Sequence, residues 1–305
     1  TARGFMEVAE LPPPVEGDKV RYLVKDKEGK KVWLTDLDGD RLVEFVDRNK
    51  EKPFFMYWSP KAVHSPHKNT PEELAARTTA PKKRRELGGG IVSVDDQVGK
   101  MLACLERNGL RENTLIIFSS DNGANSGEGG SSAPYRGGKG GGTQQLGWTL
   151  SPTIVSWPGV VPKGKRFEGL SCTLDFYATC AAAAGLDAPK HLDGVDLIPY
   201  LRGEKEGSPH EFLFWLNNQP DDAPRRHLVA VRWKQWRLYR QHEEDPWQLF
   251  DIVKDPGEHK DVAKRFPDVV EQMAAEHAEW KKSHVPAPKI EKVNAKSNPP
   301  TGHCW

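Results

Sequence analysis

Asp121 and Asn122 stand side by side behind a short apolar run, Thr114–Ser119, and Gly123 turns the chain after them. A carboxylate beside a carboxamide offers two hard oxygen donors, which suits calcium or magnesium. The same three residues also favour turns on their own account, so taken alone the stretch reads equally as the end of a strand. Further on, Arg136-Gly137-Gly138-Lys139-Gly140 carries an ammonium group in a glycine-rich loop, a combination suited to a tetrahedral oxyanion. A nucleotide-binding P-loop is excluded, because no Gly stands five residues before Gly138 and Gly140 follows the lysine where Ser or Thr is required.

Other clusters carry less. His64 and His67 lie three apart between prolines and off any helix, so they do not make a two-histidine metal site. Asp36-Leu37-Asp38-Gly39-Asp40 lacks the later ligands of a calcium loop and reads as a turn and helix N-cap. Asp95 and Asp96 are adjacent on a helical pattern and face different ways, which argues against an acid/base couple. Lys82-Lys83-Arg84-Arg85 reads as a solvated helix start.

The elements that would hold these residues follow from periodicity. Val20–Val24 and Lys31–Leu34 flank Lys27-Glu28-Gly29-Lys30 as a hairpin, and Leu42, Phe45 and Val46 keep helical spacing up to Asn49. Pro53–Trp58 and Thr114–Ser119 read as strands buried on both faces, with Pro152–Trp157 a third. Ile91 to Leu105 and Leu174–Ala184 are helical, ending at Asn108-Gly109 and Gly185. Strands alternating with helices predict a parallel sheet covered on both faces, whose ligands bind at the strands' carboxyl ends. After about Gly203 the character changes. Phe212–Leu216, Leu228–Trp233, Trp236–Arg240 and Gln248–Ile252 predict a small antiparallel sheet, Val269–Lys282 an amphipathic helix, and residues from Val285 an extended tail.

With 305 residues the chain suffices for one large α/β domain and an appendage. A net charge of +1 removes any global electrostatic case for a nucleic-acid partner. No run approaches the length of a membrane span. Cys104, Cys172, Cys180 and Cys304 form no CxxC pair and no metal-ligand spacing, and read as buried free thiols.

In this order and spacing, five stretches resemble the sulfatase family of the alkaline-phosphatase-like superfamily: PFFMYWSPKAVHSP (53–66), IVSVDDQVGKMLACLERNGLRENTLIIFSSDNG (91–123), YRGGKG (135–140), HLDGVDLIPYLRG (191–203) and LFDIVKDPGEHKDVAKRFP (249–267). The resemblance runs from about Thr35 to His284. It implies a doubly wound, mostly parallel α/β domain (1–203), a smaller carboxyl-terminal α+β subdomain with a four-stranded antiparallel sheet (204–284), and a tail (285–305). It implies hydrolysis of a sulfate ester, as in arylsulfatases, with a sulfated polysaccharide among the family's substrates, and a periplasmic, secreted or lysosomal-type compartment. Asp121 and Asn122 match two ligands of one divalent cation, usually calcium. Lys139 matches the lysine at the sulfate and the leaving oxygen, and His64 the histidine that faces the sulfate and assists the leaving group.

The family's nucleophile is a formylglycine made from Cys or Ser in a C/S-x-P/A-x-R motif, and none of the four cysteines has that context. The Asp pair completing the cation site is not recognisable either. The sequence is therefore expected to be the carboxyl-terminal two-thirds of a sulfatase, inactive alone and weak in calcium affinity. The Glu-Gly-Gly frequent after the family's lysine is replaced here by Gln144-Gln145-Leu146-Gly147. Two other readings stand beside this one: a non-catalytic binding protein of the same fold, and a phosphodiesterase or phosphonate hydrolase relative. The latter class uses two metals, and no convincing Asp-His cluster follows Lys139 for a second.

Overall fold

The computed structural model describes residues 9, 12, 15–16, 22–67, 70–139, 145–218, 227–242 and 244–283. The chain forms two compact units: Thr1–Ser132 with Leu150–Pro209, and Ala133–Thr149 with His210–Trp305. The expected tail and Cys304 lie outside the described residues, as do Val20 and Gln144. Among the described residues no helix is long and apolar enough to cross a membrane.

The first unit opens with the expected hairpin. Strands β1 (Leu23–Lys25) and β2 (Lys31–Trp33) pair antiparallel, with Val24 opposite Val32. The turn is closed by Asp26, whose carboxylate accepts from the backbone N–H of Glu28 (3.1 Å) and Lys30 (2.7 Å). Helix α1 (Leu34–Asn49) starts directly after Trp33, so Asp36–Asp40 lie inside its first turns rather than in the turn and N-cap expected of them. The apolar spacing of Leu42 and Val46 recruits the preceding residues into the helix, and Trp33 at the N-cap position offers no side-chain cap.

The long helix α3 (Arg85–Arg107) packs against α1, and helix α2 (Glu72–Ala76) packs against α3. Gly39 is a point of close approach between α1 and α3, for a Cβ there would lie 2.0 Å from Oε1 of Gln97. Val46, Met101, Cys104 and Leu105 form one core, flanked by Phe54, Met56 and Ile116. Tyr22, Trp33, Ala62, Leu74 and Val94 form a second. Helices α5 (Asp175–Ala183), followed by Gly185 at φ +70°, and α6 (Ile198–Leu201) complete the unit.

The strands of this unit depart from expectation. Strand β3 (Ile116–Ser119) pairs with β4 (Thr153–Ser156) antiparallel, where alternation with helices had predicted parallel neighbours. No simple helical crossover joins them, since the connection leaves the unit at Ser132 and re-enters it at Leu150. Neither strand is buried on both faces: Phe118 and Ile154, opposite each other in the register, are 42% and 61% exposed. Pro53–Trp58 joins no strand ladder among the described residues, yet its burial alternates, with Phe54, Met56 and Trp58 half-buried and Phe55 and Tyr57 exposed. That period of two is the signature of an extended chain with one face packed.

The second unit carries the predicted antiparallel sheet, in the order β5 (Phe212–Asn218), β6 (His227–Trp233), β7 (Trp236–Arg240), β8 (Gln248–Asp251). Alternation along β7 sends Trp236 and Leu238 to one face, where they meet Val231, Leu249 and Met273 of α7 (Pro267–Lys282). Tyr239 packs on the other face with Ala230 and Phe250. Arg237 shares that second face by parity and is 1% exposed. A four-residue helix, α4 (Leu146–Thr149), lies in the segment 133–149 of the same unit.

Candidate functional site

Asp121 and Asn122 follow the carboxyl end of β3. The backbone N–H of Ser120 donates to Pro152 O (3.3 Å), extending the β3–β4 pairing, and its hydroxyl donates to Asn122 O (2.9 Å). The two side chains meet, Nδ2 of Asn122 donating to Oδ1 of Asp121. Asp121 is exposed and Asn122 half-buried. The donor set fits a hard cation: rotating the Asn122 amide puts a second oxygen beside the carboxylate in place of the Nδ2 donor. Two oxygens are a minority of the roughly six to eight that calcium takes.

His64 lies in the loop after Trp58, in the same unit, and hydrogen-bonds neither Asp121 nor Asn122. Its Nδ1 is 2.7 Å from Ser65 O. A carbonyl only accepts, so Nδ1 carries the proton and Nε2 is the basic nitrogen of the neutral ring. The loop backbone is held by a residue of the hairpin that the sequence did not single out. Tyr22 is 2% exposed and stacks on Trp33 with centroids 5.0 Å apart. Its hydroxyl donates toward Lys61 O (3.3 Å) and His64 O, while the His64 N–H returns to Lys61 O (3.0 Å). A Tyr inside the predicted hairpin strand Val20–Val24 was the available signal, and it is a weak one.

Lys139 belongs to the second unit and is half-buried. The segment bearing it is closed at its base, where Gly147 N–H donates to Arg136 O (2.8 Å) and Trp148 N–H to Gln145 O (2.9 Å). Gly137 has φ +76°, and a Cβ there would fall 2.0 Å from Oε1 of Gln145, so glycine is required on both counts. The Leu146 N–H donates to Oε2 of Glu258 (3.2 Å), and Oε1 of that carboxylate accepts from Arg237. Glu258 and Arg237 are both buried, and burial pushes the Arg237 guanidinium below its ordinary value against the attraction of Glu258. A cavity of about 520 Å³ lies alongside, lined by Tyr135, Arg136, Gln248, Phe250, Glu258 and His259 among others.

Of the other carboxylates that the sequence brought forward, Asp36 and Asp96 are engaged in contacts between helices. Asp96 is gripped by the Arg77 guanidinium, with Nη2 2.7 Å from Oδ1, and that contact holds its carboxyl below the usual range. Asp95 is exposed on another face of the helix, so the two carboxylates do not cooperate. Asp36 Oδ1 accepts from Ser93 Oγ (3.2 Å) and Gln97 Nε2 (2.9 Å) of α3. Cys104, Cys172 and Cys180 are free thiols, Cys104 buried and the other two half-buried, and burial pushes each upward.

The chain is similar to known proteins over most of its length. The sulfatase family model matches residues 16–186, and a model described as N-sulphoglucosamine sulphohydrolase, C-terminal, matches residues 149–283. Mouse steryl-sulfatase is 32% identical over 260 residues, an alignment covering 74% of this chain and 40% of that protein. Human arylsulfatase A is 29% identical over 298 residues, covering 88% of this chain and 54% of that one. Among solved structures, Ps i-CgsB superposes with a TM-score of 0.72 at 33% identity, over 83% of this chain and 56% of the other. The chain thus spans about half the length of the relatives it matches.

Proposed function

Since the chain belongs to the sulfatase family, we propose that it supplies one half of a catalytic site for hydrolysing a sulfate ester. Asp121 and Asn122 hold a divalent cation, calcium by family habit. Lys139 binds the sulfuryl and leaving oxygens. His64, in its imidazolium form with a proton taken up on Nε2, gives that proton to the departing alcohol and returns to the neutral ring, whose Nδ1–H stays on Ser65 O. Charge builds on the sulfuryl and bridging oxygens during attack at sulfur, so a cation and an ammonium group there stabilise the transition state more than the ground state. The formylglycine hydrate that supplies the attacking oxygen in this family comes, in this reading, from residues beyond these 305, as does the second pair of cation ligands.

The observation that carries the proposal is the meeting of the Asp121 and Asn122 side chains at the end of β3, inside the segment that the family model matches. We assign β3 and the Pro53–Trp58 segment to the doubly wound, mostly parallel sheet typical of the family, with Tyr57, Phe118 and Ile154 as apolar surface for its remaining layers. A sulfated carbohydrate is the substrate class we favour, because the structure similar at 33% identity was also solved in complex with k-i-k-neocarrahexaose.

The test pairs two samples. The 305-residue chain alone is expected to release no phenol from an aryl sulfate. In a longer form carrying the nucleophile motif, Lys139→Ala is expected to lower kcat by ~10²–10³ with an unchanged melting temperature. Metal-dependent turnover by the 305-residue chain, or unaltered kinetics in the Lys139 variant, would overturn the assignment.

A further inference from the structure

The Lys139 segment does not stand on its own backbone alone. Its base is closed by the bond from Gly147 to Arg136, and the neighbouring Leu146 N–H is taken by a side chain distant in sequence, Glu258. Three unfavourable features converge on that carboxylate. Its side chain is fully buried, its partner Arg237 is 1% exposed, and its backbone sits at φ +53°, where a non-glycine residue is strained. Burying two charges costs free energy that their attraction repays only with good geometry, and apolar residues of similar size serve stability as well or better. What an apolar pair cannot do is accept a hydrogen bond from the neck of a loop. A residue that breaks local preferences and carries a buried charge is where function is to be sought.

We infer that Glu258 and Arg237 are positioning residues for Lys139: the carboxylate pins the neck of the lysine segment at Leu146, and the guanidinium fixes the carboxylate. Glu258 lies in Asp255-Pro256-Gly257-Glu258, a turn closed by Glu258 N–H to Asp255 O (3.0 Å), and Arg237 lies on β7. The sheet of the second unit is thereby the platform of the lysine. Neither residue touches the substrate in this scheme. The inference rests on the proposed role of Lys139 only for its consequence in catalysis; the mechanical link is independent of it.

The experiment uses the whole 305-residue chain, with hydrogen exchange resolved at Leu146 and Gly147 and at the β6 and β7 amides. In Glu258→Gln an NH₂ group must face one of two donors, so exchange at Leu146 and Gly147 is expected to quicken about ten- to a hundredfold while β6 and β7 keep their protection. The double variant R237M/E258L refills the core with apolar groups. It is expected to match the parent in melting temperature and still to show the loosened neck, and it carries the test if E258Q fails to fold. Exchange rising equally across the whole sheet in E258Q, or a double variant protected like the parent at Leu146 and Gly147, would overturn the inference, since either marks a merely structural pair. Acylation of Lys139 with and without saturating inorganic sulfate gives the second readout. Shielding by sulfate in the parent that weakens in the double variant supports both claims. A responsive neck with no shielding in the parent keeps the positioning link and removes the sulfate contact.

Discussion

Replacing Tyr22 by Phe removes a hydroxyl that ties the amino-terminal hairpin to the histidine loop. The ring and its stack on Trp33 survive the change, so no cavity is made and the apolar burial is kept. What is lost is a single proton, shared between Lys61 O and His64 O. One intramolecular hydrogen bond is worth ~0.5–1.5 kcal/mol net, and a carbonyl left dry adds to that, giving a local loss of about 1–2 kcal/mol. Tyr22→Ala, which also opens a cavity, should lose about 3–5 kcal/mol. Hydrogen exchange is the better assay, because a chain of two units need not unfold in one step. The reporter is the His64 amide, bonded to Lys61 O at 3.0 Å, and a loss of this size should speed its exchange roughly 5- to 30-fold. Protection of the Val46 and Leu105 amides, in the neighbouring core, should not change. An unaltered His64 amide in Tyr22→Phe would refute the reasoning. So would a loss equal to that of Tyr22→Ala, which would credit the ring and not the hydroxyl.

Met273→Ala, at a side chain with no exposure between α7 and the sheet, should cost the second unit about 2–5 kcal/mol, read as a lowered melting transition. Burial raises the Asp36 carboxyl above its ordinary value of 3.8, so the parent loses stability as pH rises from there through the raised value. Asp36→Asn keeps an oxygen for Ser93 and Gln97 and should be the more stable protein at pH 7, the gain vanishing below about pH 3.8; a deficit at pH 7 in denaturant titrations would contradict this. Calorimetry should show calcium binding to the chain more weakly than micromolar and lost in Asp121→Ala, and sub-micromolar affinity would refute a two-ligand site.

Much of this architecture can be read from residue order. The hairpin, α1, α3, β4, the four-stranded sheet and α7 all lie close to where apolar period and turn residues put them, because each buries a stripe set by local sequence. The place of Asp121 and Asn122 at a strand end was legible too, from an apolar run closed by turn residues, while their role as ligands and that of Lys139 belong to the proposal. Pairing direction was not legible. Ile116–Ser119 and Thr153–Ser156 are strand-like in either orientation, and only the path of the chain between them makes the pair antiparallel. Burial failed at Phe118 and Ile154 for a different reason, since an apolar strand announces its need for cover and not whether cover is present. The supports were invisible because they are made over long separations: Tyr22 reaches 42 residues to His64 O and Glu258 reaches 112 to Leu146. A single Tyr or Glu has no periodicity to betray such a partner.

The segment 133–149 also determines how the chain can be cut. The polypeptide passes between the two units at Ser132–Ala133, Thr149–Leu150 and Pro209–His210. A protease nick at the last of these would leave the fragments interlaced, because residues 133–149 stay packed with the second unit while both of their ends remain covalently in the first. Shortening the gene at residue 209 would not yield a tidy α/β piece, for it strips the lysine segment of its support. Grafting a foreign carboxyl-terminal unit onto this chain would succeed only if 133–149 were exchanged with it, so the two stretches should be shuffled as one cassette.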